Sequence, residues 1–345
     1  MENKIYSQVE TSKYLENGLS LNAKEKEIRQ KIIELTPQEI IDIHNHAASE
    51  NETSTLHPRF YNDLVSTFPY FNISEHEKID QQLWGSSKRI KHACFTFPFE
   101  GVNINLANDY ILSHSSETII PLYTIDSSRT NFDDLASTSE WRGVKAYSRQ
   151  RSPEATAISQ FYTRDALKVI NQRGLPIILH LPNDLVYDHN ELKELLFNFR
   201  EVKFIIAHMG FPDPNSMADY QKTLTSLRSE NLFFDTSWSN DTKAIRSVIE
   251  ILGPDKLLYG SDQPLNLIRV KVVNHPTLGP RVAVGYPYHW ADLQEQEFYM
   301  DELKIQTYDL TTMHFQSIEA IMRATQDRGE IKKIFRDNAA RILKI

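Results

Sequence analysis

The chain contains few of the residues on which several protein classes depend. Its 345 residues include one cysteine, Cys94, and eleven glycines. A single cysteine excludes an intrachain disulfide and a thiolate-rich metal site, and it favours a reducing compartment. No stretch approaches the ~20 apolar residues of a membrane span, and residues 1–22 lack the apolar core of a signal peptide. We therefore expect a soluble, cytoplasmic protein.

Positive charge is also scarce. The chain has 38 lysines and arginines against 46 acidic residues, and its net charge is −8. Without a basic block, neither nucleic acid nor an anionic membrane is an expected partner. No glycine-rich phosphate loop follows any apolar run, which argues against a nucleotide-binding fold. We expect a small-molecule substrate as the partner, and the sequence also allows a homo-oligomer.

A series of short apolar runs is present instead. Continuous apolar runs are typical of parallel strands that are buried on both faces, and these recur about every 30 residues, the size of one βα unit. The pattern predicts an α/β fold, a (β/α)8 TIM barrel forming one domain over residues 1–345, with an open doubly wound sheet as the alternative. The eight runs are Ile40–His44, Ala93–Phe97, Thr118–Ile125, Gly143–Tyr147, Pro176–Leu181, Val202–Ala207, Leu232–Asp235 and Lys256–Tyr259.

Three regions exceed a minimal barrel. Residues 1–39 are predicted to form an N-terminal helical extension, and residues 47–92 form a long, aromatic-rich excursion after the first strand. Residues 264–300 follow the eighth strand, and we predict a hairpin insertion there. Loops that follow barrel strands lie at the C-terminal face, where active sites of this fold are built.

Polar residues of metal-ligand type stand at the ends of five predicted strands. His44 and His46 are two apart, so in a strand both project from the same face. Each residue alone has an ordinary structural explanation, such as a turn aspartate or a hydrogen-bonded histidine. Together they suit a divalent metal, because neutral imidazoles and a carboxylate bind Zn²⁺, Mn²⁺ or Fe²⁺. The candidate set is His44, His46, His180, His208 and Asp262, with Lys145 on the fourth strand as a potential bridge.

At these motifs the chain resembles the amidohydrolase superfamily of metal-dependent TIM-barrel enzymes, and most of all its amidohydrolase-related branch. The resemblance covers about residues 40–345. It is carried by Asp42-Ile43-His44-Asn45-His46, Gly143-Val144-Lys145, Ile178-Leu179-His180, Ile206-Ala207-His208-Met209-Gly210, Tyr259-Gly260-Ser261-Asp262-Gln263-Pro264 and Ile334-Phe335-Arg336-Asp337-Asn338-Ala339-Ala340-Arg341-Ile342-Leu343.

The resemblance implies a role for each matching residue. His44, His46 and Asp262 would bind the more buried of one or two metal ions, most simply Zn²⁺. His180 and His208 would bind a second ion, bridged to the first by an N6-carboxylated Lys145. With a single ion, His180 would join the first site and His208 would act as a base or substrate contact. Asp262 would also carry the proton.

The residues leave several functions open. We expect a metal-dependent hydrolase of an amide, lactone or other ester, with Asp262 and His208 as catalytic residues. A decarboxylase or sugar-acid isomerase on the same barrel is the alternative, and a non-catalytic metal-binding barrel is a third. Tyr147, Trp238 and His289 are candidate substrate contacts. The alternative would draw on aromatics between Phe60 and Phe71 and on four basic residues, Lys88, Arg89, Arg149 and Arg269.

Overall fold

The computed structural model describes most of the chain. The described residues are 19–53, 72–97, 99, 101–125, 132–147, 157–160, 163–275, 279–284, 293–306 and 309–345. No helix in this described part is both long and apolar enough to cross a membrane.

Eight parallel strands form one sheet in sequential order, as the spacing of the apolar runs predicts. The sheet curls into a nearly closed barrel with helices outside it, so the predicted (β/α)8 TIM barrel is confirmed. The strands are β1 (Glu39–His46), β2 (Arg89–Phe95), β3 (Ile119–Thr124), β4 (Gly143–Tyr147), β5 (Pro176–His180), β6 (Lys203–Ile206), β7 (Leu232–Asp235) and β8 (Leu257–Leu258).

Helices alternate with these strands, and their ends follow signals in the sequence. Gly174 adopts a left-handed conformation, with φ of 59°, after the helix at residues 164–173, and the Asp241 side chain caps the helix at residues 242–252. The described helices are α1 (Ala23–Leu35), α2 (Glu50–Thr53), α3 (Ile73–Trp84), α4 (Ile104–Ser113), α5 (Asp133–Ser137), α6 (Arg164–Arg173), α7 (Leu185–Asn198), α8 (Met217–Ser226), α9 (Thr242–Leu252), α10 (Leu293–Asp301), α11 (Met313–Ala324), α12 (Arg328–Lys332) and α13 (Asn338–Leu343).

The barrel closes at a seam between β8 and β1. The His44 carbonyl accepts a hydrogen bond from the Asp262 amide at 2.8 Å, and the Gln263 carbonyl accepts one from the His46 amide at 2.8 Å. Ile43 N–H donates to the Tyr259 carbonyl at 3.0 Å. Both chain segments at the seam therefore carry predicted metal ligands.

Apolar side chains fill the barrel interior, and the C-terminal helix α13 packs against them. Ile43, Phe95 and Phe233 belong to this inner cluster, which also includes Ile342 and Leu343 of α13. A larger cluster lies between the outer wall of the barrel and the helices. The two layers fix the strand ends that carry the polar residues.

The predicted additions to the barrel are present. The N-terminal extension contains α1, and the hairpin consists of β9 (Arg269–His275) and β10 (Gly279–Val284), which pair antiparallel. A short strand, β11 (Thr311–Thr312), extends the same sheet. Glu25 links these parts, because its carboxylate accepts hydrogen bonds from Arg269 Nε at 2.9 Å and from the Thr312 amide at 3.0 Å.

Candidate metal site

Strand β1 places two imidazoles side by side at the mouth of the barrel. His44 is completely buried and His46 is 5% exposed, and their ring centroids lie 5.5 Å apart. The pairing of β1 with β2 is irregular between Asp42 and Asn45, yet both rings turn to the same side of the strand. The sequence prediction that the two histidines act together agrees with this geometry.

The end of β8 brings Asp262 to the same point. Its Oδ1 lies 3.0 Å from His46 Nε2 and 3.2 Å from His44 Nε2. Asp42 fixes the segment next to Asp262, because its carboxylate accepts hydrogen bonds from the Ser261 amide at 2.8 Å and the Ser261 hydroxyl at 2.5 Å. Among the described residues, His44, His46 and Asp262 form a group compact enough to hold one metal ion.

Hydrogen bonds to the far side of each ring leave the facing nitrogens as acceptors. His44 Nδ1 lies 2.8 Å from Asp235 Oδ2, and His46 Nδ1 lies 3.2 Å from the Thr96 carbonyl. Both partners only accept hydrogen bonds, so each Nδ1 carries the proton. Both Nε2 lone pairs then point at the Asp262 carboxylate, an arrangement that a bound cation would stabilise. This donor set fits a metal such as Zn²⁺.

Lys145 is the cationic side chain beside this group. Its Nζ lies 3.0 Å from His44 Nε2 and 4.6 Å from the centre of the Phe95 ring, and the residue is 1% exposed. Burial lowers the pKa of Lys145 to about 8, although Asp262 and Asp235 act to raise it. An amine in this state reacts with carbon dioxide more readily than an ordinary lysine, but N6-carboxylation stays a prediction.

The pKa shifts keep most of the proposed ligands in their metal-binding protonation states at neutral pH. Burial is the largest influence on the pKa of Asp262 and acts to raise it, but His44, His46 and His208 together lower it well below its ordinary value. Burial lowers the pKa values of His46 and His208 to about 4. The carboxylate is therefore ionised and these two imidazoles are neutral, which is the form that binds metal.

His44 behaves differently from the other imidazoles. Burial and the neighbouring Lys145 act to lower its pKa, but Asp235 and Asp262 outweigh them and the net shift is upward. In the metal-free protein a proton on His44 therefore helps to separate the converging acceptors. Metal binding has to displace that proton, so metal affinity should fall at acid pH.

His180 and His208 lie beside the three-ligand group rather than within it. The His208 ring centroid is 5.1 Å from that of His44 and 5.2 Å from that of His180. His208 Nδ1 donates to the Ser237 carbonyl at 3.0 Å, and His180 Nδ1 donates to the Leu181 carbonyl at 3.0 Å. Each ring thus keeps a free Nε2 lone pair, but a metal role for these two residues stays a prediction.

A left-handed turn after β6 carries His208. Four successive residues have positive φ, namely His208 at 55°, Met209 at 57°, Gly210 at 73° and Phe211 at 54°. This conformation costs roughly 1–2 kcal/mol for each residue with a side chain, so the surroundings must hold it. The Tyr220 hydroxyl donates to the Met209 carbonyl at 2.8 Å and fixes the middle of the turn. Such strain is characteristic of functional sites.

The three predicted substrate contacts have different surroundings. Tyr147 stands at the mouth, where its ring centroid is 4.3 Å from that of His180. Trp238 follows β7 with a φ of 51° and is half-buried against the outer core cluster. His289 lies outside the described residues. Contact with a substrate stays a prediction for all three.

Three of the basic residues considered for the alternative function, Lys88, Arg89 and Arg269, make contacts elsewhere in the structure. Lys88 and Arg89 lie at the N-terminal end of β2, where Arg89 pairs with Glu117 at 2.6 Å. Arg269 pairs with Glu25 at 2.8 Å. The idea that these three bind an anionic substrate was therefore wrong, because they serve other contacts. Arg149 and the aromatics from Phe60 to Phe71 lie outside the described residues.

Sequence reasoning missed Asp235 and Ser237, which support the site from β7. Asp235 accepts a hydrogen bond from His44 Nδ1, and the Ser237 hydroxyl lies 3.0 Å from His44 Nδ1 and 3.0 Å from His208 Nδ1. The signal that could have found Asp235 was present, since it ends a predicted strand just as the proposed ligands do.

Many solved structures match the architecture of this chain. Amidohydrolase 2 from Bifidobacterium longum subsp. infantis is 15% identical, with a TM-score of 0.54 and coverage of 90% of this chain and 100% of that one. A zinc-bound amidohydrolase from Burkholderia multivorans is 13% identical, with a TM-score of 0.56 and coverage of 89% and 99%.

A third structure is 5-carboxyvanillate decarboxylase from Novosphingobium aromaticivorans, complexed with manganese and 4-hydroxy-3-methoxy-5-nitrobenzoic acid. It is 12% identical, with a TM-score of 0.54 and coverage of 89% of this chain and 96% of that one. At these identities the likeness shows the fold alone. No curated protein sequence matches the chain significantly.

The barrel and the His-His-Asp group at its mouth define a TIM-barrel protein with a candidate metal site. The sequence profile described as Amidohydrolase matches residues 135–345. The chain therefore belongs to the amidohydrolase family, as its motifs indicated.

Proposed function

We propose that this protein is a metal-dependent hydrolase that cleaves an amide, lactone or other ester bond of a small, anionic molecule. The observation that carries the proposal is the convergence of His44 Nε2, His46 Nε2 and Asp262 Oδ1, three acceptor atoms from opposite sides of the barrel seam. If Lys145 is not carboxylated, its buried amine, 3.0 Å from His44 Nε2, would supply positive charge for an anionic substrate. The single cysteine supports a cytoplasmic location.

The residues divide the work between binding and proton transfer. His44, His46 and Asp262 would hold the ion, and when bound it would acidify water and polarise the scissile carbonyl. Asp262 would accept the proton of the attacking water and return it to the leaving group, since its lowered pKa keeps it ionised. His208 would orient the water or the substrate from the left-handed turn.

Zn²⁺ is the proposed metal, because two imidazoles and one carboxylate are a common zinc ligand set. Mn²⁺ is the second choice. The related structures from Burkholderia and Novosphingobium hold zinc and manganese respectively. A second ion would require His180, His208 and a carboxylated Lys145, and intact-protein mass with metal analysis would count the ions and detect the added carboxylate.

Reconstitution of the metal-free protein tests the hydrolase proposal. Zn²⁺ or Mn²⁺ is added at one or two equivalents, and a panel of lactones, amides and esters of small acids is screened for product formation. Activity should return with the metal and should be lost in Asp262→Asn. Asp213→Asn, which alters an aspartate in the exposed loop before α8, is the matched control and should retain it. A protein that binds neither metal would contradict the proposal.

Aromatic rings around the mouth favour a decarboxylase as the second candidate. His46 stacks on Phe97, with centroids 4.7 Å apart and planes 8° apart, and Phe97 stacks in turn on Phe99 at 5.7 Å. Tyr147 and Phe211 lie against His180 on the other side. A planar acid could pack among these rings. Release of CO₂ from aromatic acids, with no hydrolysis of the panel, would decide for this candidate.

A further inference from the structure

Asp235 lies behind the metal site and contacts the three-ligand group through the His44 ring. It ends β7, is completely buried, and its Oδ2 accepts a hydrogen bond from His44 Nδ1 at 2.8 Å. His44 has its second nitrogen, Nε2, toward Asp262. The proton on Nδ1 is therefore what leaves an Nε2 lone pair available to a metal ion.

The two carboxylate oxygens of Asp235 accept different numbers of hydrogen bonds. Oδ1 accepts three hydrogen bonds, from the His208 amide at 3.0 Å, the Ser237 amide at 3.1 Å and the Ser237 hydroxyl at 2.5 Å. Oδ2 accepts only the bond from His44 in the described part of the chain. Three donors thus fix an oxygen at the Oδ1 position, whereas the group at the Oδ2 position can be changed.

We propose that Asp235 is a positioning residue that sets the tautomer of His44 and, through the His208 amide, anchors the left-handed turn. The inference rests on the proposed metal-dependent function, since its purpose is to prepare His44 as a ligand. The carboxylate only accepts hydrogen bonds, so it admits only the His44 form with hydrogen on Nδ1.

An asparagine at this position separates shape from hydrogen-bond polarity. In Asp235→Asn the amide oxygen should take the Oδ1 position, because three donors point there. The amide nitrogen would then face His44 Nδ1 as a donor, and the neutral ring would move its proton to Nε2. That proton would occupy the position of the metal, although asparagine has nearly the same size as aspartate.

The test uses the full-length chain in two measurements. Nitrogen-15 spectra of labelled histidine, recorded without metal at a pH at which His44 is neutral, identify the protonated ring nitrogen. The His44 signal is assigned by its loss in His44→Asn. Calorimetry then measures the affinity of each variant for Zn²⁺ alone.

Wild-type His44 should show hydrogen on Nδ1, and Asp235→Asn should show it on Nε2. The affinity for Zn²⁺ should fall about 10- to 100-fold in that variant. Retention of hydrogen on Nδ1, or an unchanged Zn²⁺ affinity, would overturn the inference. If the wild type binds no Zn²⁺ while the tautomer still changes, the proposed function fails and the tautomer assignment to Asp235 stands.

Two further variants separate this role from a general structural one. Asp241→Asn makes the same change six positions along, at the N-cap of α9, where asparagine caps as well as aspartate. It should leave both measurements unchanged. Ser237→Ala keeps Asp235 in place and should retain hydrogen on Nδ1 of His44. A shift of the proton to Nε2 in Ser237→Ala would assign the effect to the serine and overturn the inference.

Discussion

Substitution of Lys145 by methionine is expected to make the metal-free protein more stable at neutral pH. The Lys145 amine lies inside the barrel mouth, and burial lowers its pKa from 10.5 to about 8. Asp262 and Asp235 only partly offset that cost. Methionine has a similar length, can keep the contact with Phe95, and brings no charge into the site.

The pKa of Lys145 sets the size of the effect. At about 1.4 kcal/mol for each tenfold change in a protonation equilibrium, the charged amine costs the folded protein about 3 kcal/mol below pH 8. Between pH 8 and 10.5 the unfolded chain binds the proton and the folded chain does not, so wild-type stability rises with pH in that window. The gain from Lys145→Met should therefore be about 3 kcal/mol at pH 7 and vanish above pH 10.5.

Urea unfolding at pH 7 and pH 10, in buffer free of bicarbonate and metal, measures both free energies of unfolding. Lys168→Met is the matched control, because its side chain is 58% exposed on α6, and it should change stability little at either pH. A Lys145→Met protein that is no more stable than the wild type at pH 7 would refute the reasoning, and so would a gain that is independent of pH.

Three other predictions concern the turn, the hairpin and the metal. Gly210→Ala should cost about 2–4 kcal/mol in urea unfolding, because the new Cβ would meet Leu185 Cβ at 2.9 Å at a φ of 73°. Gly174→Ala, left-handed but with no neighbour nearer than 3.7 Å, should cost only about 1 kcal/mol. Arg269→Met should cost about 2–4 kcal/mol by leaving the buried Glu25 carboxylate without its cationic partner, and Glu25→Gln in the same chain should restore most of that loss. Chelation of a metal held at 100 times its Kd should lower stability by about 2.7 kcal/mol, and an unchanged melting temperature would argue against the site.

The barrel could be predicted from the sequence because its strands are buried on both faces. Runs such as Pro176–His180 and Leu232–Asp235 are apolar except for a polar last residue. Each strand and its polar end could therefore be recognised together. His44, His46 and Asp262 followed from the same rule, since strand ends converge in this fold. The hairpin was visible from two apolar runs separated by a turn-like segment.

Other features depend on contacts that no local pattern contains. The strand-end position of Asp235 could mark it as a candidate residue, but its partner His44 lies 191 positions away in the chain, so this pairing could not be read from the sequence. The left-handed turn includes His208 and Met209, residue types that rarely adopt positive φ, and Gly210 alone gives a local hint. His180 is beside the ligand group because its ring is directed by the adjacent Leu181 carbonyl.

The seam between β8 and β1 has a consequence for how an ion would act on the whole molecule. Strand β8 is two residues long, and the barrel ring is completed there by single backbone hydrogen bonds near His44 and Asp262. An ion bound by both residues would connect the first strand of the barrel to the segment that follows the last strand. Loading should therefore slow amide hydrogen exchange most at this joint, and its loss would loosen the ring there first.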